Sequence, residues 1–106
     1  MSVENPMPTS NETTETRQLI LFLAEGEPNS IAARRNLENL LASAYDCQVQ
    51  VQYVDVLEEY EFALEHRVLV TPTLLMIDPL PRVMIVGTLK DTETVITALR
   101  LRRSED

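Results

Sequence analysis

Apolar and polar positions alternate in blocks along the chain. Leu19 to Leu23 is an unbroken apolar run, closed by Glu25-Gly26-Glu27-Pro28. A run this short predicts a strand covered on both faces. Behind it, Ala33, Leu37, Leu40, Leu41 and Ala44 recur at helical spacing, with Arg34, Arg35, Glu38 and Asn39 on the other face. With Asn29 and Ser30 as caps, this predicts a helix from about Ser30 to Tyr45. From Val49 to Val56 the positions alternate, Val49, Val51 and Tyr53 pointing one way and Gln50 and Gln52 the other, the pattern of a strand with one face wet near its start. Asp55 stands three residues before Glu58, like a capping box, and Leu57, Tyr60, Ala63 and Leu64 keep helical spacing to about Arg67. A third strand follows in Thr73-Leu74-Leu75-Met76-Ile77, opened by Pro72. That proline suits a trans bond at a strand mouth or a cis bond built into the fold. Asp78-Pro79-Leu80-Pro81 is a turn, and Arg82 to Val86 a fourth strand, hairpinned to the third and ended by Gly87. Asp91 caps a last helix, with Glu93 in its first turn, Arg100, Arg102 and Arg103 in its last, and Val95, Ala98 and Leu99 as its buried stripe.

The order is βαβ followed by αββα. The first half implies a right-handed crossover and parallel pairing. The whole is an α/β domain of the thioredoxin-like type, in which the Thr71–Pro72 bond is expected to be cis. Residues 1–16 are polar and aperiodic and read as a disordered tail, 17–103 as the domain, and 104–106 as a stub. The second half agrees less well with one fold. Thr92, Thr94, Val95, Ile96 and Thr97 are mostly β-branched at helical spacing, and Leu74 to Ile77 would also tolerate a helix.

Charge narrows the function. A net charge of −8 argues against nucleic acid, which needs a basic face, and leaves a partner with a basic surface open. The only cysteine, Cys47, and the only histidine, His66, have no partner in a known motif. A thioredoxin enzyme carries two cysteines where its first helix starts, because the helix N-terminus lowers a thiol pKa. Here that loop is Ala24-Glu25-Gly26-Glu27-Pro28-Asn29-Ser30, without a thiol. No phosphate-binding glycine loop or Ser-His-Asp set is present, and Glu58, Glu59, Glu61 and Glu65 read as a solvated helix face. No enzyme, cofactor or metal is expected. The sequence shows no signal peptide or long apolar span, so a cytoplasmic protein is expected.

The stretch Leu21-Phe22-Leu23-Ala24 with Pro28-Asn29-Ser30, then Val54-Asp55-Val56, then Arg67-x-Leu69-x-Thr71-Pro72-Thr73-Leu74 resembles the KaiB family of bacterial circadian-clock proteins, from about Gln18 to Leu101. The resemblance implies a non-enzymatic regulator that binds the ATPase ring of a KaiC homologue and modulates its phosphorylation state or output. A KaiA-like protein or a sensor kinase would be a further partner. It also implies two folds. A monomeric thioredoxin-like state binds the ring, and a tetrameric or dimeric ground fold, βαββααβ, is the alternative. On this reading Arg67, Glu58, Glu61 and Glu65 contact the ring, and Pro72, Pro79, Pro81, Gly87, Ala98 and Arg100 decide the fold state. The family's proline triplet is Pro79-Leu80-Pro81 here, two basic residues after it are Val83 and Met84, an aspartate is Thr88, and a Gly-Leu-Asp is Ala98-Leu99-Arg100. These departures mark a divergent paralogue with a matching KaiC paralogue as partner. The rival readings are a redox-inactive thioredoxin-like input domain of a signalling kinase and a stress-response adaptor. The first of these ends in a kinase module, for which 106 residues leave no room.

Overall fold

The computed structural model describes residues 15–104. The expected tail lies outside them up to residue 14, as do the last two residues of the expected stub. Strand β1 (Thr16–Leu23) runs into helix α1 (Pro28–Leu41), which crosses to strand β2 (Gln48–Asp55). Helix α2 (Tyr60–Glu65), strand β3 (Thr73–Asp78), strand β4 (Val83–Val86) and helix α3 (Thr92–Ala98) follow. This is the expected βαβαββα order.

The sheet order is β2-β1-β3-β4. β1 pairs parallel with β2 and antiparallel with β3, which pairs antiparallel with β4. β1 is interior, so both its faces must be covered, and its apolar run is buried from Leu19 to Leu23. Period two divides that run. Leu19, Leu21 and Leu23 pack with Leu74 and Met76 under α1 and α3, while Ile20 and Phe22 pack with Leu75 under α2. Three layers result, with α1 and α3 on one face of the sheet and α2 on the other. β2 is an edge strand and alternates as expected, Gln48, Gln50 and Gln52 exposed and Val49, Val51 and Tyr53 partly buried.

Helix ends depart from the sequence reading. Glu27, not Asn29 or Ser30, caps α1. Its carboxylate accepts from the backbone N–H groups of Ser30 at 2.9 Å and Asn29 at 3.3 Å, and Pro28 stands at the first helical turn, where a missing N–H costs nothing. The Ser30 hydroxyl turns back instead and accepts from the Ala24 N–H at 3.0 Å. Asp55 makes no capping box. Its side chain accepts from the Leu57 N–H at 3.0 Å, a local turn that delays α2 until Tyr60. Asp91 caps α3 as expected, accepting from the Thr94 N–H at 3.3 Å.

α3 is shorter than expected. It stops at Ala98, leaving Arg100, Arg102 and Arg103 outside its last turn. Arg100 has φ 56°, with its N–H on the Thr97 carbonyl and the Leu101 N–H on the Ile96 carbonyl. α2 ends the same way. Arg67 has φ 63°, its N–H reaches the Leu64 carbonyl, and the Val68 N–H reaches the Ala63 carbonyl. Both are Schellman turns, with a buried apolar residue, Leu101 or Val68, just after the arginine. Burial of that residue forces the reversal although the arginine occupies a left-handed position that glycine fills more easily.

Candidate functional site

The third strand is entered through a cis Thr71–Pro72 bond, as expected. Asp78–Pro79 and Leu80–Pro81 are cis as well. Pro72 is buried, and its carbonyl accepts from the Gly87 N–H at 3.0 Å, so the mouths of β3 and β4 are tied together. Gly87 has φ 120°, which side-chain-bearing residues rarely adopt. Pro79 and Pro81 lie in the β3–β4 turn, where the Arg100 guanidinium donates to the carbonyls of Pro79 at 3.2 Å and Leu80 at 3.5 Å.

α2 presents a surface that its helical spacing hid. Only Ala63 of the stripe Leu57, Tyr60, Ala63 and Leu64 is buried. The helix is anchored by Ala63 and by Phe62, whose ring lies 5.9 Å from Phe22 and 4.7 Å from His66, centroid to centroid. Anchoring on 62, 63 and 66 turns Tyr60 and Leu64 outward. They join Val56, Val68, Leu69, Val70 and Thr71 around a concavity of about 240 Å³ between α2 and the segment leading to Pro72. Leu69 is 83% exposed and Val70 and Leu57 are also out. Scattered exposed leucines are ordinary, but a contiguous exposed apolar set around a concavity is a candidate interaction site. The run Tyr60, Leu64, Leu69, Val70 was visible in the sequence, and its outward direction was not.

The residues expected to contact a ring fall around this surface. Glu61 and Glu65 stand exposed on α2, Glu58 is exposed in the turn before it, and Arg67 is exposed at its left-handed end. Glu58 therefore precedes the helix rather than riding on it. His66 faces inward, and its Nδ1 accepts from the Arg82 guanidinium at 2.8 Å, because a guanidinium has no lone pair to offer.

A second concavity, about 360 Å³, lies beyond the ends of β1 and β2, lined by Glu25, Gly26, Ser30, Arg34, Tyr53 and Asp55 among others. This is where thioredoxin enzymes hold their thiols. Here the Glu27 carboxylate occupies the first free N–H groups of α1. Burial pushes that carboxyl up, and the hydrogen bonds from Ser30 and Asn29 outweigh it, so its pKa lies below the usual carboxylate range. Burial and the Glu38 charge push the Tyr53 hydroxyl up, against Arg34, whose guanidinium lies 4.1 Å from the ring centroid. Cys47 stands ahead of β2, at the other end of the sheet, with its thiol pushed up by burial. A raised thiol pKa is the opposite of what a reactive cysteine needs. Among the described residues no group of three or more His, Cys, Asp or Glu side chains is placed to hold a metal ion, and no helix is long and apolar enough to cross a membrane.

A model of the KaiB domain matches residues 20–101. The chain belongs to the KaiB family. It is 36% identical over 95 residues to the circadian clock oscillator protein KaiB of Nostoc sp., covering 90% of this chain and 88% of that one. It is 36% identical over 91 residues to the KaiB of Synechococcus elongatus, covering 86% and 89%. Among solved structures, the N-terminal domain of Synechococcus elongatus SasA superposes with a TM-score of 0.70 at 23% identity, over 92% of this chain and 91% of that one. Chloroplastic thioredoxin z superposes with a TM-score of 0.60 at 20% identity, over 79% of each. Both likenesses show the fold, which is thioredoxin-like. These curated relatives are circadian clock oscillator proteins.

Proposed function

We propose that this KaiB-family chain is a non-enzymatic clock regulator that docks on the ATPase ring of a KaiC homologue in its thioredoxin-like fold and alters the ring's phosphorylation state or output. The reading is carried by the uncovered apolar surface of α2 and residues 68–71. Tyr60, Leu64 and Leu69 are its apolar anchors. Arg67, exposed and with a left-handed backbone at the end of α2, is its cation on this reading. Tyrosine and arginine are the side chains that most often carry interface energy. Arg67, Glu58, Glu61 and Glu65 are the contact residues this reading assigns.

The test is binding of the purified chain to the hexameric KaiC homologue of the same organism, followed by calorimetry or size-exclusion chromatography. Tyr60→Ala and Leu69→Ala are each expected to weaken binding at least tenfold, as truncated interface anchors do, with circular dichroism unchanged. Arg67→Gly separates side chain from backbone. Glycine relieves the left-handed position and is expected to stabilise the fold by about 1 kcal/mol, while binding falls. Variants that bind as well as the parent would place the interface elsewhere.

A further inference from the structure

We infer that the ring surface this chain recognises carries a basic rim around an apolar anchor, an inference that rests on the ring-docking reading above. Between Asp55 and Arg67 the chain has five carboxylates, Asp55, Glu58, Glu59, Glu61 and Glu65, against the single cation Arg67 at the end of the stretch. Four of them, Glu58, Glu59, Glu61 and Glu65, are exposed. Among the described residues the ion pairs are Arg17–Glu15, Arg34–Glu38, Arg102–Asp46 and Arg103–Glu93, so none of these four is neutralised.

Helix stability accounts for only part of them. Acidic residues at a helix start favour the dipole, which covers Glu59 and Glu61. Glu65 is the last residue of α2, where a carboxylate opposes the dipole. Glu61 and Glu65 are also four apart, a like-charge pair that weakens a helix. Their row runs beside the row of Tyr60 and Leu64, so the apolar concavity is flanked along α2 by an acidic ridge, with Arg67 as the one cation where the helix ends. Charge complementarity then names the occupant. A ring subunit with an apolar side chain for the concavity and lysines or arginines facing Glu58, Glu61 and Glu65 fits, whereas an anionic nucleic acid or lipid surface is repelled. Rim charges of this kind steer encounter and select among partners.

The experiment measures the association rate and Kd for the hexameric KaiC homologue of the same organism between 50 and 500 mM salt, values spanning roughly one order of magnitude around physiological screening. The parent chain is compared with Glu61→Gln/Glu65→Gln and Glu61→Lys/Glu65→Lys. The parent association rate is expected to fall about tenfold across the series. The Gln pair flattens that dependence, and the Lys pair binds weakest at low salt. These positions are exposed, and circular dichroism of both pairs, expected to match the parent, checks that they fold. Binding that ignores salt and both substitutions overturns the basic rim and leaves the docking reading intact. Absence of binding by the parent at every salt concentration overturns both.

Discussion

Arg17 closes the molecule at the level of single residues. It lies near the start of β1 with its side chain only 9% exposed. Nε donates to the Leu99 carbonyl at 3.1 Å and Nη2 to the Arg100 carbonyl at 2.7 Å, while Nη1 pairs with Glu15 at 2.8 Å. Carbonyls at a helix end have no intrahelical donor, and a guanidinium supplies two at once. Arg17→Met keeps the stem and leaves those carbonyls unpaired beside a buried Leu99. Thermal unfolding is expected to show a loss of about 2 kcal/mol, roughly 10 °C for a chain of this size. Arg17→Lys recovers part of it, since one ammonium cannot span both acceptors. A melting point unchanged by Arg17→Met would mean that solvent satisfies these groups. Nothing local in the sequence marks this role, because the partners stand 82 and 83 positions away.

Among elements, α1 shows how a cap can be misread. Asn29 and Ser30 have the right side chains for a cap, but Pro28 in the first turn moves the boundary back and gives the role to Glu27. A depressed carboxylate pKa has a defined sign. The ionised form is favoured in the folded state, so the stabilisation is present above the ordinary carboxylate pKa and is lost as pH falls through the lowered one. Glu27→Gln is therefore expected to be less stable than the parent in urea at pH 7. The difference should shrink as both are acidified below the usual carboxylate range, and a gap that stays constant into strong acid would contradict the assignment. α2 makes the complementary point. Its helical spacing was readable, but a stripe records which residues share a face and not which face is covered.

For the whole molecule, the KaiB resemblance implies an alternative ground fold. Ala98 and Arg100 are the positions expected to favour the thioredoxin-like state. Ala98 is the last residue of α3, so exchange for glycine weakens the helix by at most about 1 kcal/mol, roughly fivefold in a two-state ratio. Arg100 does not act on the helix dipole from within the last turn. It sits beyond the helix at φ 56°, which aspartate tolerates better, and its guanidinium holds the carbonyls of Pro79 and Leu80. These effects oppose each other. The parent is expected to sediment as a monomer with thioredoxin-like NMR contacts. Ala98→Gly is expected to raise the associated fraction, and adding Arg100→Asp to change it little. A parent that sediments as a stable tetramer would reverse the assignment.

The central strand, the wet edge of β2, the hairpin and the order of elements were all readable along the chain, because each rests on a local period or on a proline or glycine with few allowed conformations. The family was readable too, since its Pro-Asn-Ser and Thr-Pro-Thr-Leu stretches are local. Helix ends were not. They depend on which residue after the helix becomes buried, Val68 for α2 and Leu101 for α3, and that burial exists only once the layers pack. The candidate docking surface follows the same rule. Its residues stood in plain sight as an apolar stripe, and the packing of Phe62, Ala63 and His66 over Phe22 and Leu75 turned that stripe toward solvent. Periodicity is a property of neighbours along the chain, whereas the choice between core and surface belongs to contacts between segments far apart in it.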